Sequence, residues 1–188
     1  SEIAFFGGSF TAIDRRYMIS LLDTAYQYVK QYNFTGIRLS TRPDAVDAEV
    51  LRLLRDYGVT SIELGAQSMD DRILGLNGRG HISRDVEEAS ALIQEFGFSL
   101  GLQMMTGLYG DTPQKSYNTA LRLCALHPDA VRIYPTVVLE GTELASLYRQ
   151  GIYRPPGPEK SAELCAELLE LFERHHIRVI RLGLHASP

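Results

Sequence analysis

Five strand-like runs of this sequence end in residues that could hold a polar ligand. They are Gly7-Gly8-Ser9, Ser40-Thr41-Arg42, Gln67-Ser68, Gln103 to Thr106, and Tyr134-Pro135-Thr136. Glycines, hydroxyls and amides dominate, and such groups orient a ligand by hydrogen bonds instead of attacking it. No Ser–His–Asp arrangement is visible among them. The lysine or paired carboxylates that a barrel lyase or a phosphate-ester enzyme would want there are also missing. The glycine pair lets backbone approach a ligand closely, although such pairs also serve as plain turns. A further candidate is Asn77-Gly78-Arg79-Gly80-His81, where Arg79 is either a solvated loop arginine or a fork for an anion.

These positions recur because strands and helices alternate along the chain. β-forming runs cover residues 3–8, 36–41, 60–67, 99–105, 130–136 and 178–184. Helical spacing of apolar residues covers 15–32, a segment capped by Asp47, and 113 to about 126, which Pro113 opens. It also covers 158–175, and a region broken around 77–80 that resumes after Ser83. Strands separated by helices imply parallel pairing with right-handed crossovers.

Buried parallel strands usually read as continuous apolar runs, and these do not. Arg38, Ser40 and Arg42 share one face, as do Glu63, Gly65 and Gln67, while Ile37, Leu39, Ile62 and Leu64 share the opposite, greasy one. Gln103 and Tyr134 continue the polar face. An isolated buried Arg or Glu is too costly, so the polar faces need a common interior where Arg38 and Glu63 neutralise one another. A barrel lumen provides it. We therefore expect an α/β fold, a partial TIM-type (β/α) barrel of about six parallel strands, with residues 1–188 as one domain.

The composition is 45% hydrophobic and 22% charged over 188 residues, with a formal net charge of -4. An acidic total argues against a non-specific grip on nucleic acid. No apolar run approaches the roughly 18 residues of a membrane span, and no secretory signal is visible, so the expectation is a cytoplasmic protein without membrane contact. Cys124 and Cys165 lie far apart in apolar, helix-like segments and read as buried structural thiols, not metal ligands.

The segments IAFFGGSFT, LSTRPD, IELGAQS, NGRGH, MMTGLYG and IYPTVVLEGTEL follow one another in an order and spacing that resembles the radical S-adenosylmethionine superfamily over nearly the whole chain. The likeness is strongest to the catalytic subunit of Elongator and its bacterial relatives, and weaker to oxygen-independent coproporphyrinogen III dehydrogenases. It implies that Gly7, Gly8 and Ser9 receive the methionine amino group of S-adenosylmethionine and that Arg79 meets the methionine carboxylate. It also places Gln67 at the cofactor site, to which Tyr134 is added as the polar residue at the fifth strand end. Ser40 stands where the dehydrogenases carry a ligand-binding glutamate, and Gln103 replaces an aspartate of the ribose site. Both replacements can still bond a hydroxyl.

The resemblance further implies a 4Fe–4S cluster held by three thiolates of a Cys-x3-Cys-x2-Cys loop. Neither of the two cysteines present has that spacing. We therefore expect the cluster ligands to be absent from this chain, with the first strand and cluster loop missing. The exposed barrel edge at residues 3–8 would then promote self-association. The substrate implied is a tRNA wobble uridine, and no residue is assigned a catalytic role. Two alternatives stand beside this reading. One is a coproporphyrinogen-dehydrogenase-like oxidoreductase. The other is a non-catalytic barrel that binds RNA or protein.

Overall fold

Strand β1 (Glu2–Phe5) starts the chain in a computed structural model that describes residues 1–183. Then come α1 (Arg15–Gln31), β2 (Gly36–Thr41), α2 (Ala48–Asp56), β3 (Val59–Gln67), α3 (Asp71–Leu76), α4 (Ser83–Glu95) and β4 (Ser99–Thr106). The order continues with α5 (Pro113–Cys124), β5 (Ala130–Pro135), α6 (Glu143–Arg149), α7 (Pro158–Arg174) and β6 (Arg178–Leu182). The sheet order is β1-β2-β3-β4-β5-β6, with β1–β2, β2–β3 and β5–β6 paired in parallel. Adjacent parallel strands need a connection that returns to the starting end, and the helices supply it. The chain divides into two compact units, residues 1–66 with 83–102, and residues 67–82 with 103 onwards.

In the first unit α1 and α2 are capped at their starts, α2 by the expected Asp47. Asp14 accepts from Tyr17 N at 3.0 Å, and Asp47 accepts from Val50 N at 2.8 Å. Met18, Leu22 and Ala25 bury one face of α1, and Val50, Leu51 and Leu54 one face of α2. Ile37, Leu39, Ile62, Leu64 and Leu100 are fully buried strand residues. On the alternate face Arg38 meets Glu63 (Nη1–Oε1 3.4 Å) and also Glu2 (Nη2–Oε2 2.8 Å). The expected ion pair is present, and Glu2 is an added partner. Glu63 is only 3% exposed and lies over Gly101, where a Cβ would come within 2.6 Å of its Cγ. Glycine at 101 is what leaves room for the buried carboxylate.

In the second unit Asp70 caps α3 by accepting from the amides of Arg72 and Ile73, and Thr112 and Thr142 cap α5 and α6. Leu164, Leu168, Leu171 and Phe172 form the buried stripe of α7. Cys124 and Cys165 are both buried and free, as expected.

Two details differ from the sequence reading. The first strand ends at Phe5, not at residue 8, because its register with β2 stops at Leu39 and Gly7 turns the backbone to φ +101°. Helix α6 was not foreseen; its seven residues are too short for a convincing apolar period. The last strand was expected to reach residue 184, which lies outside the described residues.

Candidate functional site

The eight candidate residues divide evenly. Gly7, Gly8, Ser9 and Ser40 belong to the first unit, and Gln67, Arg79, Gln103 and Tyr134 to the second.

In the first unit the glycine segment follows β1. Gly7 has φ +101°, a conformation costly for any residue with a Cβ, and nothing lies within 4 Å of a Cβ built on Gly7 or Gly8. The backbone here faces open space. Two residues past Ser9, Thr11 donates to Ala45 O at 2.6 Å, which leaves its oxygen to accept from Thr41 Oγ1 at 2.5 Å. This hydroxyl relay ties the segment after the glycines to the end of β2, where Ser40 is buried. Nothing local in the sequence marks Thr11 for this role, because its partners lie 30 and 34 residues away.

In the second unit Gln67 ends β3 with φ +63°. The left-handed region costs a side-chain-bearing residue about 1–2 kcal/mol, and such backbone concentrates at functional sites. Gln103 and Met105 are half-buried on one face of β4, while Leu102 and Met104 are buried on the other. Tyr134 is half-buried on β5. Thr136 N donates to Thr106 O at 2.9 Å, joining the segments at the carboxyl ends of β4 and β5.

Arg79 is carried by the turn that ends α3. Gly78 N donates to Gly75 O and Arg79 N to Leu74 O, both at 3.1 Å, with Gly78 at φ +59°. These bonds form a Schellman motif, in which the left-handed position calls for glycine. The guanidinium is half-buried. Its Nη2 rests 3.2 Å from Met105 Sδ, a weak acceptor, and its Nε is buried without a partner. Among the described residues no carboxylate pairs with it. Burial lowers its pKa from the ordinary arginine range. Arg79, Met105, Leu108, Thr136 and Leu144 help to line a pocket of about 290 Å³.

Two residues outside the candidate set fix the backbone around the Leu108–Tyr109 side of this pocket. Asn77 bonds to Ile73 O and to both backbone groups of Tyr109. Asp111 gathers Gly107 N (2.9 Å), Thr112 N (2.8 Å) and Ser116 Oγ (2.6 Å), and burial pushes its carboxyl up against those donors. Asn77 was visible only as part of a turn.

Neither thiol fits a cluster. Cys124 is buried, and burial pushes its pKa up to about 11, away from the thiolate a cluster needs. Among the described residues no group of three or more His, Cys, Asp or Glu is placed to hold a metal. No helix among them is long and apolar enough to cross a membrane.

Residues 1–123 match the family model for the radical SAM superfamily, and residues 128–188 match that for the Radical_SAM C-terminal domain. The chain belongs to the radical SAM superfamily. This radical SAM chain is 31% identical over 177 residues to a tRNA uridine(34) acetyltransferase of Dehalococcoides mccartyi, covering 82% of the chain and 38% of the relative. It is 32% identical over 192 residues to human Elongator complex protein 3, covering 90% of the chain and 35% of the relative. It thus spans little more than a third of these curated relatives. Among solved structures, the archaeal Methanocaldococcus infernus Elp3 with an amino-terminal deletion superposes at a TM-score of 0.87 with 26% identity, over 100% of this chain and 48% of that one. The Escherichia coli coproporphyrinogen III oxidase HemN, a radical SAM enzyme, gives 0.72 at 21% identity, over 93% of this chain and 40% of that one, which bears on the fold alone. The fold class is the expected one: α/β, a partial TIM-type barrel of six parallel strands.

Proposed function

We propose that residues 1–188 serve as the S-adenosylmethionine-binding part of a radical enzyme that modifies a tRNA wobble uridine. The observation that carries the cofactor assignment is Arg79, a half-buried cation with no carboxylate partner among the described residues, on the wall of a pocket. A methionine carboxylate is the planar, two-oxygen anion a guanidinium fork suits. The open backbone at Gly7 and Gly8, with Ser9, receives the amino group. Ser40 and Gln103 bond the ribose hydroxyls, and Gln67 and Tyr134 complete the binding set. Bound beside a reduced 4Fe–4S cluster, S-adenosylmethionine supplies a 5′-deoxyadenosyl radical for hydrogen abstraction. The chain's own contribution is to hold the cofactor and keep water from it. The cluster ligands are not among its residues.

The likeness to the Dehalococcoides tRNA uridine(34) acetyltransferase supports the tRNA substrate, and a cytoplasmic location accords with it. The test uses the full-length protein, reduced anaerobically with S-adenosylmethionine and tRNA. Formation of 5′-deoxyadenosine, increased by tRNA with an unmodified wobble uridine, is the expected result. Failure to form it with a full complement of cluster would overturn the assignment.

A further inference from the structure

We infer that Asn77 is a positioning residue: it sets the Arg79 guanidinium by locking the α3 turn to the β4–α5 loop. The inference rests on the reading of Arg79 as the carboxylate-binding group and adds the device that holds it.

Every hydrogen-bonding group of the Asn77 amide is used. Nδ2 donates to Ile73 O at 2.8 Å and to Tyr109 O at 2.9 Å, and Oδ1 accepts from Tyr109 N at 3.2 Å. The pattern allows only one orientation, because a flipped amide would set its NH₂ against the Tyr109 N–H and its oxygen against two carbonyls. Asn77 therefore imitates a strand partner for Tyr109. It does so two residues before Arg79, in the turn whose backbone Gly78 bends.

The loop it grips is itself fixed. Asp111 holds Gly107 N and Ser116, while Tyr153 OH donates to Gly107 O at 2.6 Å. Tyr109 and Tyr153 rings meet edge to face at 6.2 Å. Gly110 turns the loop at φ +82°, a backbone conformation that favours glycine. On one side, then, Asn77 is anchored to a rigid loop. On the other, the Arg79 guanidinium has only a thioether to hold it among the described residues. A guanidinium so weakly held by its own contacts takes its aim from the turn, and the turn takes its place from Asn77. A displacement on the order of 1 Å is enough to spoil a bidentate contact.

The test uses the full-length protein with its cluster reconstituted, and two probes: S-adenosylmethionine and its decarboxylated analogue. The parent should prefer the first. Asn77→Ala should weaken S-adenosylmethionine binding about tenfold while leaving the analogue unchanged, as expected when one well-aimed charge-assisted contact is degraded. Hydrogen exchange at the Tyr109 amide should accelerate in this variant. Arg79→Ala should lose the same preference with no change in that exchange. Asn77→Ser, which keeps one donor–acceptor group, should be intermediate and serves if the alanine variant does not fold. A preference left intact in Asn77→Ala or Asn77→Ser, with Tyr109 exchange accelerated, overturns this inference alone. A parent that binds both probes equally overturns the reading of Arg79, and this inference with it.

Discussion

Replacing Arg79 with methionine should weaken binding without a matching loss of stability. Among the described residues the guanidinium has one weak acceptor, Met105 Sδ at 3.2 Å, and a buried Nε with none. Its burial is therefore a standing cost that a ligand carboxylate would relieve. Truncating one partner of a buried charge pair typically costs about 2–5 kcal/mol. Arg79 is only half-buried, so about 2–4 kcal/mol is the appropriate range, or roughly 30- to 700-fold weaker binding of S-adenosylmethionine at about 1.4 kcal/mol per decade. The free protein should meanwhile be unchanged or more stable by up to about 1 kcal/mol, since methionine fills a similar volume without a charge to desolvate. Arg79→Lys should recover part of the affinity, because it restores the charge but not the fork. Equilibrium dialysis of labelled S-adenosylmethionine against the full-length protein reads the first quantity, and urea unfolding the second. Unchanged affinity would return Arg79 to a plain loop residue. A loss of affinity matched by an equal loss of stability would mean that the arginine holds the fold and not the ligand.

Asp111→Asn, though isosteric, should destabilise by about 1–2 kcal/mol, because an amide must turn a donor toward one of three donors the carboxylate now accepts; a urea midpoint equal to the parent's would refute this. Burial raises the Cys124 thiol from 9.0 to about 11, so the unfolded chain loses this proton first as pH rises. Its contribution to stability should be full below pH 9 and decline between pH 9 and about 11. Denaturation curves across that window should show a smaller decline in Cys124→Ala, and identical slopes would count against the assignment. β1 is the edge strand and Phe6 just after it is 55% exposed, so the isolated chain should self-associate and Phe6→Lys should reduce this. Sedimentation velocity showing a strict monomer at high concentration would contradict it.

Periodicity and capping chemistry, both local, were legible without coordinates. Alternation along β2 and β3 placed Arg38 and Glu63 on a face where neither could be buried alone, and the pair is found at 3.4 Å. Asp47 announced the start of α2, and apolar residues at helical spacing around Cys124 and Cys165 announced buried thiols. The ordered glycine, amide and arginine segments pointed to the superfamily. Tertiary structure alone decided the partners. Tyr109 is 32 residues from Asn77, and the hydroxyl contact from Thr11 to Thr41 spans 30. Such pairings depend on loop paths set by left-handed glycines and on contacts that no short-range period encodes. The absence of a carboxylate beside Arg79 among the described residues is of the same kind. A sequence shows which residues carry charge; only the folded chain determines which charge goes without a partner, because that depends on everything else that could have come near it.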